Sequence, residues 1–308
     1  MGTPAFSANL LEALLDQGFN IIGVVTQEDA PVGRKKTLTP SPVKEVAVAR
    51  NIKVYTPHRI RHDHDFIITA KPDLILTFAY GQIVPTAVLN APKYGCLNFH
   101  GSILPKYRGA SPIQMALING EKETGVSLMR MVEAMDAGVV YGISKFALTE
   151  SDNFETVSLK MVSASLTLIR DTLPHVISGE NKGMAQDESK VTIAPLLRAK
   201  DEEINLKIDD VKRVFGKIQA FAPLTGVNIL YLGEPLKIYE ARIANFRQEV
   251  EVGTLFIKDN NLMLQLKGGQ LTLKVLQKSG KKQVDAKSFI NGERQKLPTI
   301  LKMRDVHG

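Results

Sequence analysis

Tryptophan is absent from this 308-residue chain, and Cys96 is its only cysteine. One thiol excludes intrachain disulfides and every multi-cysteine zinc site. No apolar run approaches the roughly 20 residues needed to span a bilayer. The opening Met1-Gly2-Thr3-Pro4-Ala5-Phe6-Ser7 lacks the basic and apolar stretches of a secretory leader. These absences lead us to expect a cytoplasmic protein with no membrane segment. Gly-x-Gly-x-x-Gly and Gly-x-x-x-x-Gly-Lys are missing too, which removes the usual dinucleotide and P-loop signatures. His62-Asp63-His64-Asp65 has metal-ligand character, but no third ligand group accompanies it. We read it as a polar approach to a helix and expect no metal.

What is present describes a globular protein: 44% hydrophobic and 23% charged residues in a length that holds two ordinary domains. The net charge of +7 is unevenly placed. Residues 208–308 contain 17 Lys+Arg against 10 Asp+Glu, an excess of seven, while residues 1–207 balance at 22 each. A basic module beside a neutral one suggests a polyanionic partner, nucleic acid first. The plainer alternative is solubility with no partner.

Apolar periodicity sets the expected fold. Leu10, Leu11, Leu14 and Leu15 make a helical stripe, and Ile21–Thr26 is a β-branched strand. Ser41-Pro42 caps and starts a second helix. Leu74–Phe78 and Leu97–His100 read as buried strands, Ser111-Pro112 opens a helix to Asn119, and Gly125–Met131 is another strand. A long helical stretch runs from about Asn153 to Ile177. Strands alternating with helices imply an α/β, doubly wound, Rossmann-like and mostly parallel sheet. Residues 188–207 read as a linker between a domain at 1–187 and another at 208–308. In the latter, Leu262, Leu264 and Leu266 alternate with polar residues, as do Leu271, Leu273 and Val275 beyond Gly268-Gly269. This hairpin pattern predicts a small antiparallel β-barrel of OB-like type.

The chemistry concentrates at Asn98, His100 and Asp136. Asn98 and His100 are two apart, so a strand puts both on one face. Asp136 follows His100 by 36 residues in the turn Met135-Asp136-Ala137-Gly138. In open α/β sheets ligands gather at the carboxyl ends of strands, where these three would meet. Acyl transfer to an amine passes through an oxyanion and needs donors aimed at it plus an acceptor for the amine proton. A carboxamide and an imidazole supply donors, and a carboxylate orients the ring. An isolated Asn-x-His is more often structural. Arg108 is left open between contacting an anionic ligand tail and capping the loop.

A series of motifs resembles the methionyl-tRNA formyltransferase family. They are Gly2-Thr3-Pro4-Ala5-Phe6-Ser7, Gly33-Arg34-Lys35-Lys36, Asn98-x-His100, Ser102-Ile103-Leu104-Pro105-Lys106-Tyr107-Arg108-Gly109, Ser111-Pro112-Ile113-Gln114 and Asp136-Ala137-Gly138. They run in order to about residue 195. The resemblance implies transfer of formyl from 10-formyltetrahydrofolate to initiator methionyl-tRNA by a monomer. Asn98, His100 and Asp136 would be the catalytic trio. Ser102, Ile103, Leu104 and Pro105 would line the folate pocket, with Phe78, Tyr80, Gly81, Gln82 and Ile83 in its wall. Arg34, Lys35 and Lys36 would contact tRNA phosphates from a mobile loop over 27–42, and the basic barrel would bind tRNA. The competing readings are a formyltransferase for a small amine and a non-catalytic tRNA-binding paralogue.

Two departures from the family pattern generate expectations of their own. The family places a short apolar strand before Gly-Thr-Pro, whereas this sequence opens at Met1-Gly2. Either the natural start lies upstream or the central sheet is impaired. Family tryptophans are also missing: Leu224 follows Pro223, and Gln219 stands where Arg is usual, so tRNA affinity is expected to be lower or differently distributed.

Overall fold

A computed structural model describes residues 1–33 and 36–303. It divides into two compact units, the first comprising Met1–Pro112, Glu123–Phe146 and Ser158–Ile193. The second comprises Ile113–Lys122, Ala147–Val157 and Ala194–Gly308.

In the first unit, α1 (Ala5–Asp16) leads to β1 (Val24–Val25). A hairpin of β2 (Ala30–Val32) and β3 (Thr37–Thr39) then forms inside the stretch read as a loop. α2 (Pro42–Ala49) starts where expected, with Ser41 Oγ accepting the Lys44 N–H at 3.1 Å. β4 (Val54–Tyr55) pairs parallel with β1. Then follow α3 (Asp65–Ala70), β5 (Ile75–Thr77), α4 (Thr86–Leu89), β6 (Cys96–His100) and β7 (Arg108–Gly109). α5 (Pro112–Ile118) lies at the passage between units, and β8 (Glu123–Arg130) and β9 (Val140–Ala147) complete a sheet of order β5-β6-β8-β9. β5 and β6 run parallel, whereas β8 is antiparallel to β6. The long helix predicted to Ile177 breaks into α6 (Phe154–Asp171) and α7 (Leu173–Ile177). Pro174, which has no N–H to continue the ladder, sits in the first turn of α7.

Period 2 sorts the apolar side chains of β1 onto two faces. Val24 packs with Ala8, Leu11, Val43 and Ala47 of α1 and α2. Val25 packs on the other face with Ile60, Ile67, Ile75, Val88 and Cys96. Burial pushes the Cys96 thiol up to about 12, as befits a core residue.

The sheet of this unit is split. β1–β4 and β5-β6-β8-β9 are separate hydrogen-bonded sheets, and between β1 and β5 runs a cavity of about 450 Å³. Leu10, Leu11 and Leu14 line it on one side, with Phe66, Phe99 and Ile177 among its other walls. Met1 and Gly2 occupy one end of this slot. Gly2 N donates to Val25 O at 3.1 Å, and Phe78 N donates to Met1 O at 2.9 Å. The terminal ammonium donates to Leu76 O at 2.6 Å. Two residues thus do the joining that a whole strand performs elsewhere in the sheet. Thr77, 4% exposed, also lines the slot, and its hydroxyl has no hydrogen-bond partner.

The second unit carries β10 (Ile193–Ala194) at its boundary, then α8 (Val211–Phe221), β11 (Val227–Tyr231), β12 (Glu234–Asn245), β13 (Thr254–Lys258), β14 (Asn261–Leu266) and β15 (Gly269–Lys278). β16 (Val284–Asp285), α9 (Ala286–Glu293) and β17 (Thr299–Ile300) follow. The antiparallel order is β11-β12-β15-β14-β13-β17, with β16 on β15. Lys302 bridges back to Leu230 of β11, so residues 299–302 bring the ends of the curled sheet together. Its interior includes Leu262, Leu264, Leu266, Leu271 and Leu273, all fully buried, as the sequence pattern predicts. The alternation fails at Val275, which is half-buried while Leu276 is fully buried, beside register shifts in the partner strand between Ile238 and Ala241. α8 is anchored by Asp209, whose carboxylate accepts from Lys217 at 2.8 Å and Arg213 at 3.1 Å. Gln219 donates to the carbonyl oxygens of Glu150 and Asp152, and Leu224 stands 69% exposed beyond the cis peptide at Pro223.

Desolvation lowers the Met1 amine from 8.0 to about 6. Between those values the unfolded chain holds more proton than the folded one. This amine's contribution to stability is therefore fully present above pH 8 and is lost as pH falls through 6, about 2–3 kcal/mol in full. Urea denaturation of the 308-residue chain at pH 6 and pH 8 checks this. A variant extended by several apolar residues before Met1, which replaces the ammonium with an amide, is expected to lose that slope.

Candidate active site

β6 lies between β5 and β8, with Thr77 opposite Asn98 on one side and Ser127 opposite His100 on the other. Ladders on both flanks fix its backbone, and period 2 sends Asn98 and His100 to the same face. Asn98 is half-buried and His100 only 4% exposed.

The loop leaving β6 is held by buried hydroxyls. Ser102 Oγ donates to Lys106 O at 2.6 Å. Ser127 Oγ donates to Ser102 O at 2.7 Å and accepts from Leu104 N at 3.1 Å. This fold of the loop returns the Tyr107 carbonyl to His100 Nε2 at 2.7 Å. A carbonyl only accepts, so we assign a proton to Nε2. The other ring nitrogen, Nδ1, faces Asp136 Oδ2 at 3.5 Å. The same carboxylate oxygen accepts from Gly109 N at 2.8 Å. The expectation that these three residues share a strand-end site therefore acquires an orientation: Nδ1, on the Asp136 side, is the nitrogen not committed to the loop. Among the described residues, the Asn98 carboxamide has no hydrogen-bond partner.

Asp136 adopts φ +52°, a left-handed conformation that Asp tolerates better than most residues. Its turn closes against β8, because a Cβ at Gly138 would collide with the Arg130 carbonyl oxygen. Only glycine permits that approach.

The residues expected around folate divide into two groups. Ser102 and Leu104 are buried and support the loop, while Ile103 and Pro105 are half-buried. Phe78 packs between Phe6 and Phe99, at centroid distances of 4.7 and 6.1 Å. Tyr80 is 2% exposed, and burial pushes its phenol up to about 12. These two rings are core, so any wall they offer is backbone. Gln82 ties Ile60 N at 2.8 Å to Gln27 and the Pro57 carbonyl. Gly81, at φ +91°, and Ile83, 75% exposed, face outward beyond the end of β5. The slot beside β1 contains none of the trio and is a gap in the sheet rather than this site.

Of the basic loop, Arg34 and Lys35 lie outside the described residues, and Lys36 is exposed in the turn between β2 and β3. The Arg108 alternative resolves towards the loop. Its Nε donates to Gln186 Oε1 at 3.0 Å, and its two terminal nitrogens donate to Glu188 at 3.1 and 2.7 Å. The guanidinium holds the Glu188 carboxyl below its ordinary range. His62–Asp65 leads into α3, with His64 Nδ1 donating to Ile60 O at 2.9 Å. Ser127, Gln186 and Thr192 have no counterpart in the sequence reading. A lone Ser inside Val126-Ser127-Leu128 was the one available signal, and Gln186 stands beside a stretch read as linker.

Comparison with known proteins gives a consistent placement. The family described as "Formyl transferase" matches residues 1–172, and "Formyl transferase, C-terminal domain" matches 196–294. A methionyl-tRNA formyltransferase of Halalkalibacterium halodurans is 38% identical over 96% of this chain and 95% of its own. That of Dictyoglomus thermophilum is 40% identical over 95% and 96%. Among solved structures, WlaRD, a sugar 3N-formyl transferase crystallised with dTDP and 5-N-formyl-THF, aligns with TM-score 0.65 and 19% identity, covering 91% of this chain and 97% of its own.

Gly138→Ala is expected to destabilise the fold by about 1–3 kcal/mol, the usual range for overpacking against a fixed neighbour. Thermal or chemical denaturation against the parent measures it; an unchanged midpoint would show that the turn relaxes freely.

Proposed function

The chain belongs to the formyl transferase family, and from that premise we infer that it carries the formyl group of 10-formyltetrahydrofolate to the α-amine of methionyl-tRNA, for translation initiation. The observation that carries this reading is 38–40% identity to methionyl-tRNA formyltransferases over 95–96% of the chain, together with the His100–Asp136 pair at the end of β6.

The chain's own residues suit the chemistry. The substrate formyl carbon would lie beside the Asn98 carboxamide, whose N–H is free to donate to the oxygen as it becomes negative. His100 Nδ1, paired with Asp136, stands where the proton leaving the attacking amine can be held and passed on. His100 Nε2 is occupied by the Tyr107 carbonyl, which fixes the ring plane. The folate fits the donor set: Ile83 and Ile103 offer apolar surface, and the backbone of 81–83 and the Ile103 N–H offer polar groups for a pterin edge. Those segments leave neighbouring parallel strands at the same end. On this reading residues 1–187 carry the chemistry, 188–207 connect, and the basic 208–308 module engages tRNA with Arg34, Lys35 and Lys36. Initiator tRNA is the acceptor that translation initiation requires.

Formylation of charged initiator tRNA by the purified protein tests the reaction. His100→Ala should abolish turnover, and Asn98→Ala should cost about 100- to 1000-fold in kcat, the usual loss for one oxyanion donor. Turnover confined to small amines would replace the acceptor, and tRNA binding without turnover would reduce the protein to a binding module. For the electrostatic part, the logarithm of tRNA affinity should fall linearly with the logarithm of salt concentration. Neutralising Arg34, Lys35 and Lys36 together should reduce that slope by up to about three. An unchanged slope would remove the loop from the interface.

A further inference from the structure

Residues 184–192 strap the two turns that frame His100. Val140 and Met184 exchange backbone hydrogen bonds, both 2.9 Å. At the far end Thr192 O accepts from Arg108 N at 2.9 Å, and Thr192 Oγ1 accepts from Tyr107 N at 2.8 Å. Between these anchors stands Gln186, and all of its carboxamide is used. Nε2 donates to Asp136 O at 2.7 Å and to Gly138 O at 2.8 Å, while Oε1 accepts from Arg108 Nε. One side chain therefore ties the Asp136 turn to the loop that delivers Tyr107 and Gly109.

We propose that Gln186 is a positioning residue for the formyl-transfer reaction, setting the Asp136 carboxylate against His100 Nδ1 by clamping the backbone of residues 136–138 to the Arg108 loop. This rests on the functional reading above. The need for a clamp follows from geometry. Asp136 holds φ +52°, an uncommon conformation that persists only where its surroundings over-determine it. Asp136 Oδ2 is 3.5 Å from Nδ1, just beyond an ordinary hydrogen bond, so once Nδ1 takes a proton a small shift of the turn either makes that bond or abandons it. Gln186 does not reach the reacting atoms; it acts through Asp136. The Asp136 side chain meets the loop at the Gly109 N–H, and Gln186 with Arg108 adds a second tie behind it.

Gln186→Glu separates the two halves of the clamp. A carboxylate keeps and strengthens the bond from Arg108, but it confronts the carbonyl oxygens of Asp136 and Gly138 with no donor. If Gln186 merely held the strap in place, the change would lower stability and leave kcat at the parental value. A positioning residue loses kcat. In the full-length protein, with 10-formyltetrahydrofolate and methionyl-tRNA, Q186E is expected to lose roughly 10- to 100-fold in kcat, with KM for each substrate within about two-fold of the parent. Introduced into Asp136→Asn, the same change should cost less than about two-fold more, because both act on one carboxylate. Gln186→Met, similar in volume and without polar atoms, repeats the measurement should Q186E fold poorly. Parental kcat in both variants, or losses that multiply with Asp136→Asn, would overturn the proposal. Turnover of the parent on another amine, still depressed in Q186E, would overturn the acceptor assignment alone and leave the clamp supported.

Discussion

One carboxylate oxygen organises the site. Asp136 Oδ2 accepts the Gly109 amide and faces His100 Nδ1, so a turn after β8 and a loop after β6 are fixed by the same atom. A histidine whose other nitrogen is spent on a backbone carbonyl has only one way to respond to its carboxylate. That restriction fixes the orientation of the ring and leaves Nδ1 as the nitrogen not committed to the loop. Everything that surrounds it serves the same end: Ser127 stiffens the loop from inside the sheet, and Gly138 lets its turn close on Arg130.

The carboxyl ends of neighbouring parallel strands provide this arrangement. β5 and β6 run side by side with both ladders of β6 filled, so Asn98 and His100 inherit a rigid frame. β1 and β4 form a separate pair, and between β1 and β5 the backbone links run through Met1 and Gly2. Asn98 and His100 thus stand in the four-stranded, continuously paired sheet.

Part of the candidate site was legible in the sequence because it depends on short-range rules. Two residues apart on a strand share a face, which placed Asn98 with His100. Ser41-Pro42 capped a helix and Gly268-Gly269 turned a hairpin for reasons local to a few residues. What escaped notice depends on residues distant in the chain. Gln186 reaches Asp136 across 50 residues, and no local pattern distinguishes it from a solvated glutamine. Phe78 and Tyr80, which the family resemblance puts in the pocket wall, have their rings packed in the core. The hairpin of β2 and β3 was hidden by prolines and cations that read as loop, since an isolated pair of three-residue strands carries almost no apolar signal.

The curled sheet of the second unit has a seam with its own consequence. Thr299 and Ile300 pair with β13, and two residues later Lys302 pairs with Leu230 of β11. Four residues thereby cover the last open flank of two strands at once. Proteolytic clipping just ahead of Thr299 would strip both flanks together, converting a sealed sheet into a template for intermolecular pairing and aggregation.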